Sequence, residues 1–270
     1  MTYGYVGECV PGTNLHFQRN TSALPMDKLQ SFWPMRGLGY VDAHSPDLVG
    51  NSPLVVRGAV EWEPNNPCGG ALGSTSFVDN GTIGLFSAGA ATGFAAENRD
   101  LQWWMSAWIY SRQLTTETGV LISRAKGGSQ RGWYVSVWGP DFTGEGGAAY
   151  SAIGFRTSAD GSATWNGFAK TDADAVTHNT WQHVVFGHTA TTGTGNAFIA
   201  LNGAAVIQTG AQTAFESDEP ITFGMDENGT NEYDGLICDV AYFVGTSGVP
   251  TAAQIADLYN GGKGNTLVSG

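Results

Sequence analysis

The sequence predicts an all-β protein, a two-sheet antiparallel β-sandwich closed by a short C-terminal helix. Three observations predict it. From about residue 30 onward, short runs rich in β-branched and aromatic residues are separated by Gly, Asn, Asp, Thr and Ser. Several runs alternate with period 2, the signature of strands with one buried face. Helical periodicity is convincing only near the C-terminus, at 251–259.

The elements follow in chain order. Residues 1–30 show no sustained periodicity and several turn formers, so they are expected to be an N-terminal arm that wraps the domain or docks on another subunit. The domain proper is expected over 31–262, with a short tail at 263–270. In 102–110, Trp103, Met105, Ala107 and Ile109 lie on one face and Trp104, Ser106, Trp108 and Tyr110 on the other. In 133–138, Trp133, Val135 and Val137 oppose Tyr134, Ser136 and Trp138. Large residues on both faces predict central strands, covered on one side by a second sheet and on the other by loops or a partner. Further strands are expected at 120–124, 152–157, 182–188, 197–201, 204–208, 221–224 and 235–244. Asn202-Gly203 between two apolar runs predicts a tight hairpin, because its turn needs two consecutive positive φ angles. Thr251 is placed to cap the helix, Ile255, Leu258 and Tyr259 form its apolar stripe, and Gly261 is expected to end it.

Composition bounds the function. The chain has 270 residues, enough for one continuous core, and 11% of them are aromatic, which excludes a disordered chain. Its 39 glycines follow no three-residue period, so collagen is excluded. Twelve Lys and Arg against 24 Asp and Glu give a net charge of −12, a surface that repels nucleic acid. No apolar run approaches the ~20 residues of a membrane helix. The start, MTYGYVGECVPG, lacks the basic and apolar regions of a secretory signal, so no export address is expected. Cys9, Cys68 and Cys238 are odd in number and widely spaced, which fits buried free thiols better than a disulfide framework; a Cys9–Cys68 bridge stays open.

An ordered series of segments carries a family resemblance. SFWPMRG is followed by the Asp-containing loop YVDAHSPDLVGNSPLVVRG, then GGALGSTSF, LQWWMSAWIYS, VLISRAKGG and GWYVSVWG. TWQHVVFGH, FIALNGAAV, ITFGMDENGTNEYDGLICDVAYF and VPTAAQIADLYNGG complete it. From Phe32 to Gly262 this order resembles the laminin-G-like members of the concanavalin A-like lectin/glucanase superfamily, whose fold is a jelly roll. There are two departures. Cys238 stands before Asp239 where the family often has Ile or Leu, and the loop 139–150 is Gly-rich rather than polar. The resemblance implies a structural Ca²⁺ between loop and closing strand, with Asp42 and Asp239 matching the family's ligands and Asn51 a looser match. Alternatively, Asp42 caps a turn and Asp239 accepts backbone N–H bonds. The acidic run 226–234 resembles no EF-hand and is expected to be a solvated hairpin turn.

Catalysis is not expected. The glucanase members carry Glu-x-Asp-x-x-Glu on one strand, setting two carboxyl groups about 5–5.5 Å apart. Here Glu216-Ser217-Asp218 begins that run, but Pro220 intervenes and Ile221 takes its last place. No Gly-x-Ser-x-Gly elbow and no His-x-x-x-His pair occurs. His183 and His188 are five apart and face opposite sides of one strand; His183 is expected to be structural.

Binding is the remaining chemistry. Trp138, Tyr150 and Trp165 sit at or near turns, where aromatic rings can stack on a hexose; the same rings suit a protein interface. The expected function is therefore a non-catalytic structural or adhesion protein with a lectin-like domain. The resemblance and the missing export address suggest display on a virion surface, as a phage head decoration, spike or fibre. Its expected partners are proteins of the assembly, reached through the N-terminal arm, copies of itself in a homo-oligomer, and cell-surface glycans. Nucleic acid and membrane are not expected partners. The competing readings are an extracellular stand-alone carbohydrate-binding module or lectin, and a glucanase-branch glycoside hydrolase.

Overall fold

The computed structural model describes residues 4–9, 16–20, 23–33, 35, 44–45, 47, 49, 54–57, 61–63, 74–77, 84–87, 102–112, 118–126, 130–139, 150–162, 165, 167–189, 194–213, 217, 219–226, 231–262 and 265–269. In chain order the first strands are β1 (Gly4–Cys9), β2 (His16–Asn20), β3 (Leu29–Trp33), β4 (His44–Ser45), β5 (Leu54–Arg57) and β6 (Glu61–Glu63). Next come β7 (Ser74–Phe77), β8 (Gly84–Ser87), β9 (Trp103–Ser111), β10 (Thr118–Lys126), β11 (Gln130–Trp138) and β12 (Ile153–Gly161). The remainder are β13 (Gly167–Lys170), β14 (Trp181–His188), β15 (Thr194–Leu201), β16 (Ile207–Thr213), β17 (Thr222–Phe223), β18 (Gly235–Val244) and β19 (Asn265–Ser269). Helix α1 (Ala252–Tyr259) lies between the last two strands.

Two large antiparallel sheets form, as the sequence predicts. One has the order β13-β12-β11-β10-β17-β8-β5-β4, and the other β16-β15-β14-β9-β18-β7-β6 with β3 beside β18. A third, three-stranded sheet, β19-β1-β2, pairs the N-terminal segment with the C-terminal tail. The stretch that carries no periodicity in the sequence thus contains a hairpin, closed by a strand from the far end of the chain.

Alternation decides which residues meet between the large sheets. Trp103, Met105, Ala107 and Ile109 of β9 point inward, as do Trp133, Val135 and Val137 of β11, Ile153 and Phe155 of β12, and Val184 and Phe186 of β14. At the centre stands Trp103. Its ring lies 4.8 Å from that of Trp133 and 5.8 Å from Phe155, both on the opposite sheet. On its own sheet it meets Phe186 at 6.3 Å and Tyr242 at 6.0 Å, each edge-on. Such contacts add about 0.5–1.5 kcal/mol per pair beyond area burial.

The other face of β9 is also buried, by this chain rather than by a partner. Trp104 stacks on Phe243 at 3.9 Å, and Val185, Phe198, Ile255, Leu258, Leu24 and Phe32 complete a second apolar layer. Helix α1 and the segment leading into β3 form that roof. Thr251 caps α1 as expected: its side chain accepts from the Gln254 backbone N–H, and the Gln254 side chain accepts from the Thr251 N–H at 2.8 Å. The stop comes one residue earlier than predicted. Asn260 takes the left-handed conformation at φ 47°, before Gly261 at φ 61°. Asn shares glycine's tolerance of that region.

The Asn-Gly hairpin forms as predicted. Asn202 and Gly203 have φ of 52° and 76°, and the Ala204 N–H donates to the Leu201 carbonyl at 3.0 Å. The Asn202 side chain also accepts from the His183 N–H at 2.9 Å, tying the turn to β14. The following strand starts later than expected: Ala204 and Ala205 are exposed, and pairing resumes only at Ile207, opposite Ile199. Among the described residues, no helix is long and apolar enough to cross a membrane.

The central indole is the most sensitive point of this core. Trp103→Ala is expected to destabilise the fold by about 3–5 kcal/mol, the usual cost of removing a buried Trp. Urea unfolding followed by tryptophan fluorescence measures it; a loss below about 1 kcal/mol contradicts the central role.

Candidate functional site

The outer face of β11, β12 and β13 carries the distinctive chemistry. Because Trp133, Val135 and Val137 point into the core, Tyr134, Ser136 and Trp138 point out. Cross-strand register sets Tyr134 opposite Arg156 and Arg156 opposite Phe168, with Gly154 between Ser136 and Lys170. The absence of a side chain at Gly154 is what seats Trp138. A Cβ there would stand 2.4 Å from the indole, so the ring lies down over the glycine, and its Nε1–H donates to Ser136 Oγ at 3.2 Å.

Rings and cations then alternate across this face. Lys170 Nζ stands 5.6 Å from the Trp138 ring centre, and the Arg156 guanidinium 5.1 Å from it. Arg156 also lies 5.5 Å from the Tyr134 ring and donates through Nη1 to its hydroxyl at 2.8 Å. Tyr134 meets Trp165 edge-on at 4.6 Å, and Arg131 stands 5.6 Å over Trp165. Each cation–ring contact contributes about 0.5–2 kcal/mol, more where water is excluded.

Two of the three predicted sugar-stacking residues belong to this array, in different roles. Trp165 is half-buried and so keeps accessible ring surface. Trp138 stands at the end of β11 but is 0% exposed, which corrects the expectation that its ring is open to a sugar. With Gly154 beneath it and two cations over it, its ring has no surface left for a sugar; it organises the array instead. Tyr150 lies in another cluster, 6.0 Å from the His178 ring. Arg131, Tyr134, Arg156 and Lys170 were not singled out from the sequence. For Tyr134 the available signal was its parity with Trp138; Arg156 and Lys170 join the face only once β12 and β13 are aligned to β11, and Arg131, of the opposite parity, lies beyond the register shift that separates it from Trp133.

The Tyr150 cluster is a clasp between loops. Ser151, at φ 55°, sets its hydroxyl 2.8 Å from His178 Nε2, and His178 Nδ1 faces the Arg112 carbonyl at 3.1 Å. Arg112 pairs with Asp234 at 3.1 Å. A hydroxyl and an imidazole at this distance resemble a nucleophile and its base. Ser151 is however 2% exposed, and a backbone carbonyl rather than a carboxylate orients the ring. The geometry locks two loops together.

Of the predicted calcium ligands, Asp42 and Asn51 lie outside the described residues. Asp239 is buried on β18 with φ 50°, inside the bulge that separates Cys238 from Ala241. A bulge re-aims a side chain out of the regular alternation, and a non-glycine residue in that conformation costs about 1–2 kcal/mol. Asp47, which follows β4, spends one carboxylate oxygen on the Phe32 and Val49 N–H groups, at 3.0 and 3.1 Å. Among the described residues, no group of three His, Cys, Asp or Glu gathers as a metal site. Cys238 is buried and forms no disulfide; the Cys9 side chain and Cys68 lie outside the described set, as do residues 140–149 of the Gly-rich loop and 227–230 of the acidic run.

His183 is structural, as expected. Its ring is buried against Trp108 at 5.1 Å and Tyr259 at 6.3 Å, and Nδ1 has no hydrogen-bond partner. Burial pushes its pKa down to about 3 from the usual 6.5, because the charged ring cannot be solvated there. Between those values the unfolded chain binds a proton that the folded chain refuses. Stability is therefore complete above pH 6.5 and is lost as pH falls toward 3. His183→Gln should flatten this dependence, which approaches about 1.4 kcal/mol per pH unit for one such group. Denaturant titrations of both proteins on either side of pH 6.5 measure it; parallel pH profiles contradict the assignment.

Comparison with curated proteins finds no match. Among solved structures, the receptor-binding domain of botulinum neurotoxin type G superposes with a TM-score of 0.56 at 15% identity, covering 86% of this chain and 51% of that one. The binding domain of botulinum neurotoxin DC, solved with SialylT, gives 0.58 at 16%, covering 90% and 52%. The chain thus spans about half the length of these toxin domains. Domain 4 of AbnA, a GH43 extracellular arabinanase from Geobacillus stearothermophilus in complex with arabinotriose, gives 0.53 at 18%, covering 85% and 97%. At these identities the likeness is one of fold. The sequence itself matches a family model over residues 90–256, more than half of its length, and the chain belongs to the concanavalin A-like lectin/glucanases superfamily.

Proposed function

We propose that the chain is a non-catalytic carbohydrate-binding domain serving adhesion, with the outer face of β11–β13 as its platform. The observation that carries this reading is the half-buried Trp165, braced edge-on by Tyr134 and set beside Arg131 on a lectin-type jelly roll. A ring held by packing loses little entropy when a hexose stacks on it. The similar domains solved with arabinotriose and with SialylT support a saccharide ligand. The missing Glu-x-Asp-x-x-Glu run supports binding without hydrolysis.

The domain is further proposed to be displayed on an assembly such as a virion, as a head decoration, spike or fibre component that presents the platform to cell-surface glycans. In support, β1, β2 and β19 form a small sheet of their own, bringing both terminal segments together as one attachment point for protein partners or further copies. A stand-alone carbohydrate-binding module is the second reading, favoured by the match to 97% of the AbnA domain.

The platform is tested by a glycan array and titration calorimetry. Trp165→Ala should weaken the best saccharide by about tenfold or more while leaving the melting temperature within a few degrees, because the ring sits on the sheet rather than in the core. Undiminished binding in that variant removes the platform.

A structural Ca²⁺ held by Asp239 with Asp42 and Asn51 is proposed beside it; the bulge at Asp239 is the supporting feature. The ion would tie the loop to β18. At calcium 100 times its Kd, binding contributes about 2.7 kcal/mol. EGTA should therefore lower the melting temperature of the wild type, and Asp239→Asn should abolish that response. An unchanged melting curve rules the ion out.

A further inference from the structure

The last strand on each side of a β-sheet offers a row of backbone N–H and C=O groups to any strand that comes beside it. Folded chains guard such edges by shortening them, charging them or spending their hydrogen bonds elsewhere. Among the described residues, the two large sheets are guarded at every edge but one. β4 closes one sheet with 2 residues, and β13 closes its other side with 4, the last of them Lys170. β6 has 3 residues, Glu61 and Glu63 among them, and β3 spends its Phe32 N–H on the Asp47 carboxylate. β16 is different. It ends its sheet with 7 residues, Ile207–Thr213, paired to β15 on one side and followed, among the described residues, by no strand on the other. From Thr189 to Phe215, a span that contains both β15 and β16, there is no Asp, Glu, Lys, Arg, His or Pro. Beside this edge the Asn-Gly turn leaves Ala204 and Ala205 exposed. Ile207 is 41% exposed, the one large apolar side chain open to water among the described residues.

We infer that β16 is the seam of a twofold dimer, in which it pairs antiparallel with β16 of a second copy so that two sheets become one. Charge selects this occupant. Two chains of net charge −12 repel each other, and the span 189–215 is where they can approach without bringing like charges together. A partner chosen by its charge would find nothing on this edge to read. The strand's own sequence also suits a twofold axis. With the axis at Gly210, Ile207 falls opposite Thr213, Gln208 opposite Gln212 and Thr209 opposite Ala211, so no position meets a charge. Seven residues make a ladder of about 24 Å, a small interface, so the dimer is expected to dissociate on the order of micromolar concentration. The seam is independent of what the β11–β13 platform binds.

Sedimentation velocity on the full chain, from about 1 µM to about 1 mM, measures it. A monomer–dimer equilibrium is expected within that range, and amide hydrogen exchange at 207–213 should slow as the dimer fills, while exchange in β14, inside the sheet, stays constant. The double variant Gln208→Lys/Gln212→Lys sets lysines opposite each other across the seam and should weaken the dimer by about tenfold or more. Mixing it with Gln208→Glu/Gln212→Glu should restore a dimer, because each lysine then faces a glutamate. A chain that stays monomeric throughout overturns the inference, even if the edge takes up a strand from another protein. A dimer that the lysine variant leaves intact, or that the mixture fails to restore, overturns β16 as its seam. Should the lysine variant fail to fold, exchange in the wild type decides: a dimer whose formation leaves 207–213 unprotected overturns the seam equally.

Discussion

The contact on which the architecture depends is the aromatic junction around Trp103, where one indole on β9 touches Trp133 and Phe155 across the interlayer gap and Phe186 and Tyr242 beside it. Two sheets packed face to face have no backbone hydrogen bonds between them, so their spacing is set by side-chain volume alone. A large rigid ring at that point fixes both the separation and the angle of the layers. Everything outside the core inherits its position from it. If Trp133 and Phe155 face inward, then Tyr134, Gly154 and Arg156 must face out, because alternation leaves no other choice.

The two sheets use their outer faces differently, and the difference tracks the neighbours available in the chain. The outer face of β9, β14 and β18 is apolar, with Trp104, Val185, Ala241 and Phe243, and it is covered by α1 and the segment entering β3. The outer face of β11, β12 and β13 mixes rings with cations, a composition that tolerates water. There, glycine at 154 substitutes shape for packing. Removing a Cβ from the middle of a sheet costs some strand stability, and here it makes the bed on which Trp138 lies and positions two cations over the ring.

Polar groups placed inside the fold serve as clasps. Ser151 and His178 join two loops, Arg112 and Asp234 tie β9 to β18, and Asn202 links the Asn-Gly turn to the backbone of His183. The His183 ring, sealed under Tyr259, is neutral for the same reason that it packs well: there is no room for the water a charge needs. These contacts join residues far apart in sequence, which is how a sandwich of short strands holds a single register.

The amino-acid sequence by itself determined the sandwich, the alternation of β9 and β11, the Asn-Gly hairpin, the Thr251 cap and the buried strand histidine, because each of these is written in spacings of two to four residues. Local pattern also sufficed to bring Trp165 forward. It could not show that Trp138 is covered, that Tyr150 belongs to a different cluster, or that Arg131, Arg156 and Lys170 share a face, since parity on one strand says nothing about register with the next. Nor could it pair the chain's two ends in one small sheet. Those facts come from long-range pairing, in which the energy of a contact depends on what a distant segment places opposite, and only the folded arrangement sets that partner.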